Sequence, residues 1–228
     1  MYNAVVTGAS SGIGKNISHK LLKLGYEVIG ISRTDPKIEK LIWIKADLSK
    51  NSDIDLALKQ IKENFSTINL LVNNAAIMKT NKTLNIPFDD ISKSFILNVC
   101  APIYLTSLLT KLLIKGKATV IFIGSVASEL DISGELIYSS TKAALSKVNS
   151  SYASELTRLG IKFIEIRPGI CKTPMTSKLN EENIEYMISK NSFNKLIDID
   201  LVSDTLISAI SLPITSSGSI LYCGGIRK

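Results

Sequence analysis

Histidine is almost missing from this chain of 228 residues. With His19 alone, inside a predicted helix, neither a Ser-His-Asp triad nor a multi-histidine metal centre is expected from one subunit. Cysteine is scarce as well: Cys100, Cys171 and Cys223 are odd in number, far apart and never form a C-x-x-C pair, which argues against a disulfide framework or a cysteine zinc site. Arginine is limited to Arg33, Arg158, Arg167 and Arg227 among 27 basic residues, and the lysines are scattered without aromatic interleaving. The formal charge of +7 therefore reads as a solvated surface, and no nucleic-acid partner is expected. No run of about 18 uncharged apolar residues occurs, and the chain opens directly into Asn3, Ala4, Val5, Val6 and Thr7 with no charged-then-apolar leader. A cytoplasmic protein without a membrane partner is expected.

What is present describes a globular domain. Composition is 45% apolar and 21% charged, and the length suits one domain over residues 1–228. Residues 3–7, 27–32, 41–45, 69–73, 118–124, 161–167 and 219–223 read as strands. Several are continuous apolar runs such as Val120-Ile121-Phe122-Ile123, the pattern of strands covered on both faces of a parallel sheet. Between them lie helical periods. Ile13, Ile17, Leu21 and Leu24 recur at helical spacing before Gly25, and Ile54, Leu58, Ile61 and Phe65 do the same. Leu145, Val148, Tyr152, Leu156 and Leu159 form another stripe, ending at Gly160. The alternation predicts an α/β, doubly wound parallel sheet of about seven strands with helices on both faces, and a ligand site beyond the carboxyl ends of the strands. Residues 173–200 are the least regular and are expected to form a lid over a substrate pocket.

Immediately after the first strand comes Thr7-Gly8-Ala9-Ser10-Ser11-Gly12-Ile13-Gly14, running into a helix. Glycines permit a tight turn and close approach to a pyrophosphate, and the helix start attracts its charge. The G-x-x-x-G-x-G spacing differs from G-x-G-x-x-G, but its parts have the same duties. At the end of the second strand, where an acid would hold the ribose diol of NAD, the chain reads Ser32-Arg33. A guanidinium there suits a 2′-phosphate, with Ser32 adding a hydrogen bond. The expected cofactor is NADP(H).

Tyr138 and Lys142 fall four positions apart at the start of a predicted helix, and Ser125 follows the fifth strand. That spacing puts phenol and ammonium on one helical face. A free phenol titrates near about pH 10, and a neighbouring ammonium favours its ionised form, tuning it for proton transfer.

Thr7-Gly8-x-x-x-Gly12-x-Gly14, Asn73-Asn74-Ala75-Ala76, Asn98, Ser125, Tyr138-x-x-x-Lys142 and Pro168-Gly169 occur in the order of the short-chain dehydrogenase/reductases. The chain resembles that family from Asn3 to about Gly225. The resemblance implies a Rossmann-type sheet, a nicotinamide dinucleotide, and hydride transfer between the cofactor and a carbonyl or alcohol. It also implies roles. Tyr138 is the proton donor when a carbonyl is reduced; Lys142 depresses its pKa and holds the nicotinamide ribose. Ser125 hydrogen-bonds the substrate oxygen, and Asn98 helps hold a water in a relay reaching Lys142. Gly8, Ser10, Ser11 and Ile13 correspond to pyrophosphate and ribose contacts, Asp47 and Leu48 to the adenine pocket, and Asn74 with Ala75 to the adenosine ribose side. Pro168, Gly169, Ile170 and Thr173 correspond to the nicotinamide end.

Three departures stand out. Ala76 replaces the family's usual glycine, Pro102 falls in the long helix just after Asn98, and Cys223 stands where many relatives carry an acid. The implied activity is NADP(H)-dependent reduction of a small or medium carbonyl compound, or oxidation of the corresponding secondary alcohol, with a 3-oxoacyl thioester as one named candidate. The alternatives are a non-catalytic NADP(H)-sensing protein and a nucleotide-sugar epimerase or dehydratase. The first conflicts with the complete tetrad, and the second with the short region after Thr173. A homodimer or homotetramer is expected through the helices near Asn98 and Tyr138, with Leu105, Leu108, Leu109, Leu112 and Leu113 supplying apolar surface.

Overall fold

A computed structural model describes residues 2–80 and 84–226. Its centre is a sheet of seven strands, all parallel: β1 (Tyr2–Thr7), β2 (Tyr26–Ser32), β3 (Ile42–Lys45), β4 (Leu70–Asn73), β5 (Thr119–Ile123), β6 (Lys162–Pro168) and β7 (Ile220–Cys223). The spatial order is β3-β2-β1-β4-β5-β6-β7. Each strand lies within one residue of its predicted bounds at either end. The order reverses between β1 and β4, so connections leave these neighbours in opposite directions and open a crevice beyond Thr7 and Asn73.

Helices cover both faces, which explains the unbroken apolar strands. On one face α1 (Gly12–Lys23) and α7 (Ile199–Ser211) pack Ile17, Leu21, Val202 and Leu206 against Val6, Val28 and Val72. On the other, α2 (Asn51–Asn64), α4 (Ala101–Gly116) and α5 (Leu136–Leu156) pack Ile54, Ile61, Leu105, Leu109 and Leu145 against Val5, Ile29, Val120 and Phe122. Alternation sends Val120 and Phe122 into one core and Ile121 and Ile123 into the other. Truncating a fully buried ring such as Phe122 or Phe163 would cost about 3–5 kcal/mol.

The long helix is interrupted earlier than Pro102 suggests. α3 (Phe88–Phe95) runs through a π-turn at Ile96–Cys100 into α4, and Pro102 sits harmlessly in the first turn of α4. In a regular helix the Asn98 carbonyl would take the N–H of residue 102, which proline lacks, so the widened turn falls where that ladder is already broken. The whole span Phe88–Gly116 is the one helix among the described residues long and apolar enough to cross a membrane, at a mean hydropathy of 1.5. It is a core helix: Leu105, Leu109 and Leu113 are buried in the sheet-facing cluster. That packing corrects the leucine expectation, since of the five leucines only Leu108 is an exposed one, alongside Ile103 and Tyr104.

Candidate active site

The glycine turn is held from below. Thr7 Oγ1 accepts the N–H groups of Asn74 at 2.9 Å and Ala75 at 3.0 Å, while Asn74 Nδ2 donates to the Thr7 carbonyl at 2.8 Å. The turn after β4 is thereby stitched to the turn after β1. The fit leaves no room for side chains: a Cβ on Gly8, where φ is +70°, would lie 2.8 Å from Asn74 Nδ2, and one on Gly14 would overlap both Asn74 Nδ2 and the Gly8 carbonyl. A Cβ on Gly12, also left-handed, would meet only the Thr173 side chain, at an ordinary contact distance of 3.5 Å. Ser11 begins α1 with extended backbone and no side-chain cap, and the first turn carries no acid. This positive, uncapped helix start at a glycine cradle fits a pyrophosphate.

A cleft runs from this cradle along the strand ends, lined by Gly8, Ser10, Ser11, Gly12, Ile13, Ser32, Arg33, Asp47, Leu48, Asn74, Ala75 and Thr173. Gly14 lies buried beneath it. Ser32 is buried and donates its hydroxyl to the Thr34 carbonyl at 2.7 Å, so it shapes the turn while the exposed Arg33 brings the charge. Burial alone would raise the Asp47 carboxyl, but hydrogen bonds from Ser49, helped by Arg33 and Lys50, leave it lowered. Asp47 is thus fixed as an acceptor at the cleft wall.

Thr173 connects this cleft to a second chamber lined by Ser125, Tyr138, Lys142, Pro168, Gly169 and Ile170, with Ile13 and Asn74 at the join. Ser125 caps a short helical turn, accepting the Ala127 N–H at 3.1 Å, and its hydroxyl lies near enough to the Tyr138 phenol to favour the ionised form. Lys142 is buried, donates to the Ile123 carbonyl at 2.7 Å, and holds Nζ 5.6 Å from the centre of the Tyr138 ring. Burial lowers its pKa to about 8, against partial support from the Glu165 carboxylate. Burial likewise pushes the Tyr138 phenol up to about 12; the Ser125 hydroxyl opposes the rise, and the nearby Glu135 carboxyl adds to it. For the phenol, burial outweighs the lowering expected from Lys142.

Asn98 lines neither chamber. Its Nδ2 donates to the Ile77 carbonyl at 2.8 Å and to Thr141 Oγ1 at 3.0 Å, and its Oδ1 accepts the Ile77 N–H at 2.8 Å. The side chain is a brace between the loop after β4 and α5, and only its main chain is left for a relay.

Residues 173–200 wall the chamber. Met175, Thr176, Leu179 and Met187 all face it, the last from α6 (Glu181–Ser189). Asn180 caps that helix by accepting the Asn183 N–H at 2.8 Å, and Asn183 Nδ2 donates to the Ser133 carbonyl at 2.9 Å. Sequence reasoning missed two groups there. Cys171 lines the chamber as a thiol pushed up to about 12 by burial. Glu135 lines it too and is only 1% exposed; its place one helical turn before Tyr138 was the available signal. Cys223, the third departure, is buried among Ile166 and Ile197, and its carbonyl accepts the Gly169 N–H at 2.8 Å. Among the described residues, no group of three or more His, Cys, Asp and Glu side chains could hold a metal.

A family model for short chain dehydrogenases matches residues 2–184. The chain is 29% identical over 218 residues to 3-oxoacyl-(acyl-carrier-protein) reductase FabG of Buchnera aphidicola subsp. Baizongia pistaciae, covering 91% of this chain and 89% of that protein. A short chain dehydrogenase family protein from Francisella tularensis subsp. tularensis SCHU S4 superposes with a TM-score of 0.86 at 25% identity, over 97% of this chain and 96% of the other. 4-Hydroxyisoleucine dehydrogenase complexed with NADH shares the fold, with a TM-score of 0.90 at 23% identity over 99% and 98% of the two chains. Fold, cradle and chamber define a Rossmann-type oxidoreductase that exchanges hydride with a nicotinamide cofactor. The chain belongs to the short chain dehydrogenase family.

Proposed function

We propose that this enzyme uses NADP(H) to interconvert a small or medium ketone and its secondary alcohol. The observation that carries the reading is the junction of the Arg33 cleft with the chamber holding Ser125, Tyr138 and Lys142. The bound nicotinamide supplies or accepts the hydride. Everything else falls to the chain. Arg33, exposed at the end of β2 with no acid in the place usual for NAD recognition, offers a forked, charge-assisted contact to a 2′-phosphate. In reduction, the Tyr138 O–H gives its proton to the carbonyl oxygen as carbon gains hydride, while Ser125 donates a hydrogen bond to that oxygen. Lys142 holds positive charge behind the phenol.

Similarity to the FabG reductase favours a 3-oxoacyl thioester as one form of the ketone. The three free thiols support a cytoplasmic setting, and the exposed Ile103, Tyr104 and Leu108 of α4 support a homodimer or homotetramer built on that helix. Residues 173–200 would then act as the lid. A spectrophotometric screen of ketones, 3-oxoacyl thioesters and secondary alcohols with NADPH, NADP⁺, NADH and NAD⁺ tests the reading. Turnover with NADPH preferred is expected; oxidation of neither reduced cofactor by any ketone or thioester would overturn it.

A further inference from the structure

Lys142 and Glu165 are buried charges that meet at one turn. Glu165, on β6, is 0% exposed and Lys142 is 3% exposed, and a charge taken out of water needs a counter-charge. The ammonium is held by a neutral group, the Ile123 carbonyl at 2.7 Å. The carboxylate packs against the next residue along the chain: a Cβ on Gly124 would lie 2.2 Å from Glu165 Oε1. From the helix side, Ser146, one turn after Lys142 on α5, donates its hydroxyl to Glu165 Oε1 at 2.9 Å and accepts an Arg167 N–H at 2.7 Å.

The neighbouring charges leave Glu165 unbalanced. Arg167 donates Nε–H to Glu165 Oε1 at 2.7 Å and an Nη1–H to Glu129, so two carboxylates share one guanidinium and one negative charge is left over. Tyr222, from β7, joins Arg167 and Glu129 through its hydroxyl and adds no charge. Burial keeps Tyr138 and Cys171 neutral, and the Glu135 carboxyl, itself raised by burial, acts on Tyr138. On Lys142 it is the Glu165 carboxylate that supports the charged form against burial.

We infer that Glu165 is a positioning residue: across the Gly124 turn its carboxylate is the counter-charge that keeps Lys142 an ammonium behind the Tyr138 phenol. The consequence for catalysis rests on the reductase reading above.

The test is a double-mutant cycle on the full cofactor-free chain. Glu165→Gln keeps an acceptor oxygen for Arg167 and Ser146 but removes the charge. At about pH 6, where Lys142 carries its proton, Glu165→Gln should raise the unfolding constant in urea at least about fivefold more in the wild-type background than in the Lys142→Met background, since one pKa unit is tenfold. At about pH 9.5, above the Lys142 value of about 8, that excess should fall to near one, because the lysine is then neutral when folded. A merely structural glutamate would show no such change with pH. In parallel, kcat for ketone reduction at saturating NADPH is followed against pH: loss of the ammonium sets an alkaline limb, which Glu165→Gln should move down by at least about half a unit. If that variant does not fold, Glu129→Gln, which leaves Arg167 to Glu165 alone, should move both readouts the same way by less. No excess at the lower pH, an excess unchanged at the higher one, or an alkaline limb that stays in place overturns the inference. No ketone turnover, with the pH-dependent excess present, would sink the reductase reading and leave the pairing of Glu165 with Lys142 standing.

Discussion

Lys142 stands with its ammonium 5.6 Å from the centre of the Tyr138 ring, yet it spends a hydrogen bond on the Ile123 carbonyl rather than on the phenol. With burial pushing Tyr138 up to about 12, the phenol carries its proton throughout the neutral range, so the proton a ketone takes up on reduction is in place. Tyr138→Phe removes the proton and little volume, so NADPH should still bind while kcat for ketone reduction falls by about 10²–10⁴-fold. Stopped-flow assays with fluorescence titration of NADPH check both halves. Retained turnover would remove Tyr138 from the chemistry.

The same burial makes stability depend on alkaline pH. The folded pKa of Lys142 lies at about 8, below the 10.5 of the unfolded chain, so between these values the unfolded state binds more protons and stability rises with pH. The gap corresponds to on the order of 3 kcal/mol. Lys142→Met replaces the ammonium with an apolar end. Urea unfolding of the cofactor-free protein should therefore show the variant more stable below pH 8 and the difference shrinking towards pH 10.5. Other buried groups cancel in the comparison. A difference that does not change with pH would mean that Lys142 keeps an ordinary pKa.

Cofactor choice should reside in Arg33. A charge-assisted contact contributes about 1.5–3 kcal/mol, so Arg33→Ala should raise KM for NADPH by about 10–100-fold and leave KM for NADH within about twofold. Initial-rate kinetics with both cofactors decide it. Parallel losses for the two would show that Arg33 only supports the cleft wall.

Much of this architecture was legible because strand and helix periods are strong local signals. All seven strands announced themselves as apolar runs, and the cradle as a glycine turn between β1 and α1. The π-turn was not legible: Pro102 drew attention, but the break lies at Ile96–Cys100, and only the backbone ladder reveals it. The helix stripe of α4 was similarly ambiguous. Leu105, Leu109 and Leu113 repeat at i, i+4 and i+8 and turn to the sheet, while Tyr104 and Leu108, one residue earlier, turn outward. Hydrophobic content alone does not say which leucine faces which neighbour. Tyr138, Lys142 and Ser125 were found by spacing, but the direction of the phenol's shift depends on burial, which spacing does not reveal. Glu135 escaped for the same reason, since a surface glutamate and a shielded one look alike on paper.

Thr7 is the least conspicuous of the residues that shape the cofactor cradle, and its hydroxyl satisfies two backbone donors, those of Asn74 and Ala75. Thr7→Val preserves shape and burial but withdraws that acceptor. Leaving a shielded amide unpaired costs about 1–3 kcal/mol, so the variant should lose about 2–4 kcal/mol in urea unfolding. The loss also loosens the seam between the turns after β1 and β4, so KM for NADPH should rise several fold while kcat at saturation changes little. Thr7→Ser, which restores the oxygen, should recover most of the cofactor affinity even though it opens a methyl-sized gap. A valine variant as tight for NADPH as wild type would show that the cradle holds its shape without the Thr7 stitch.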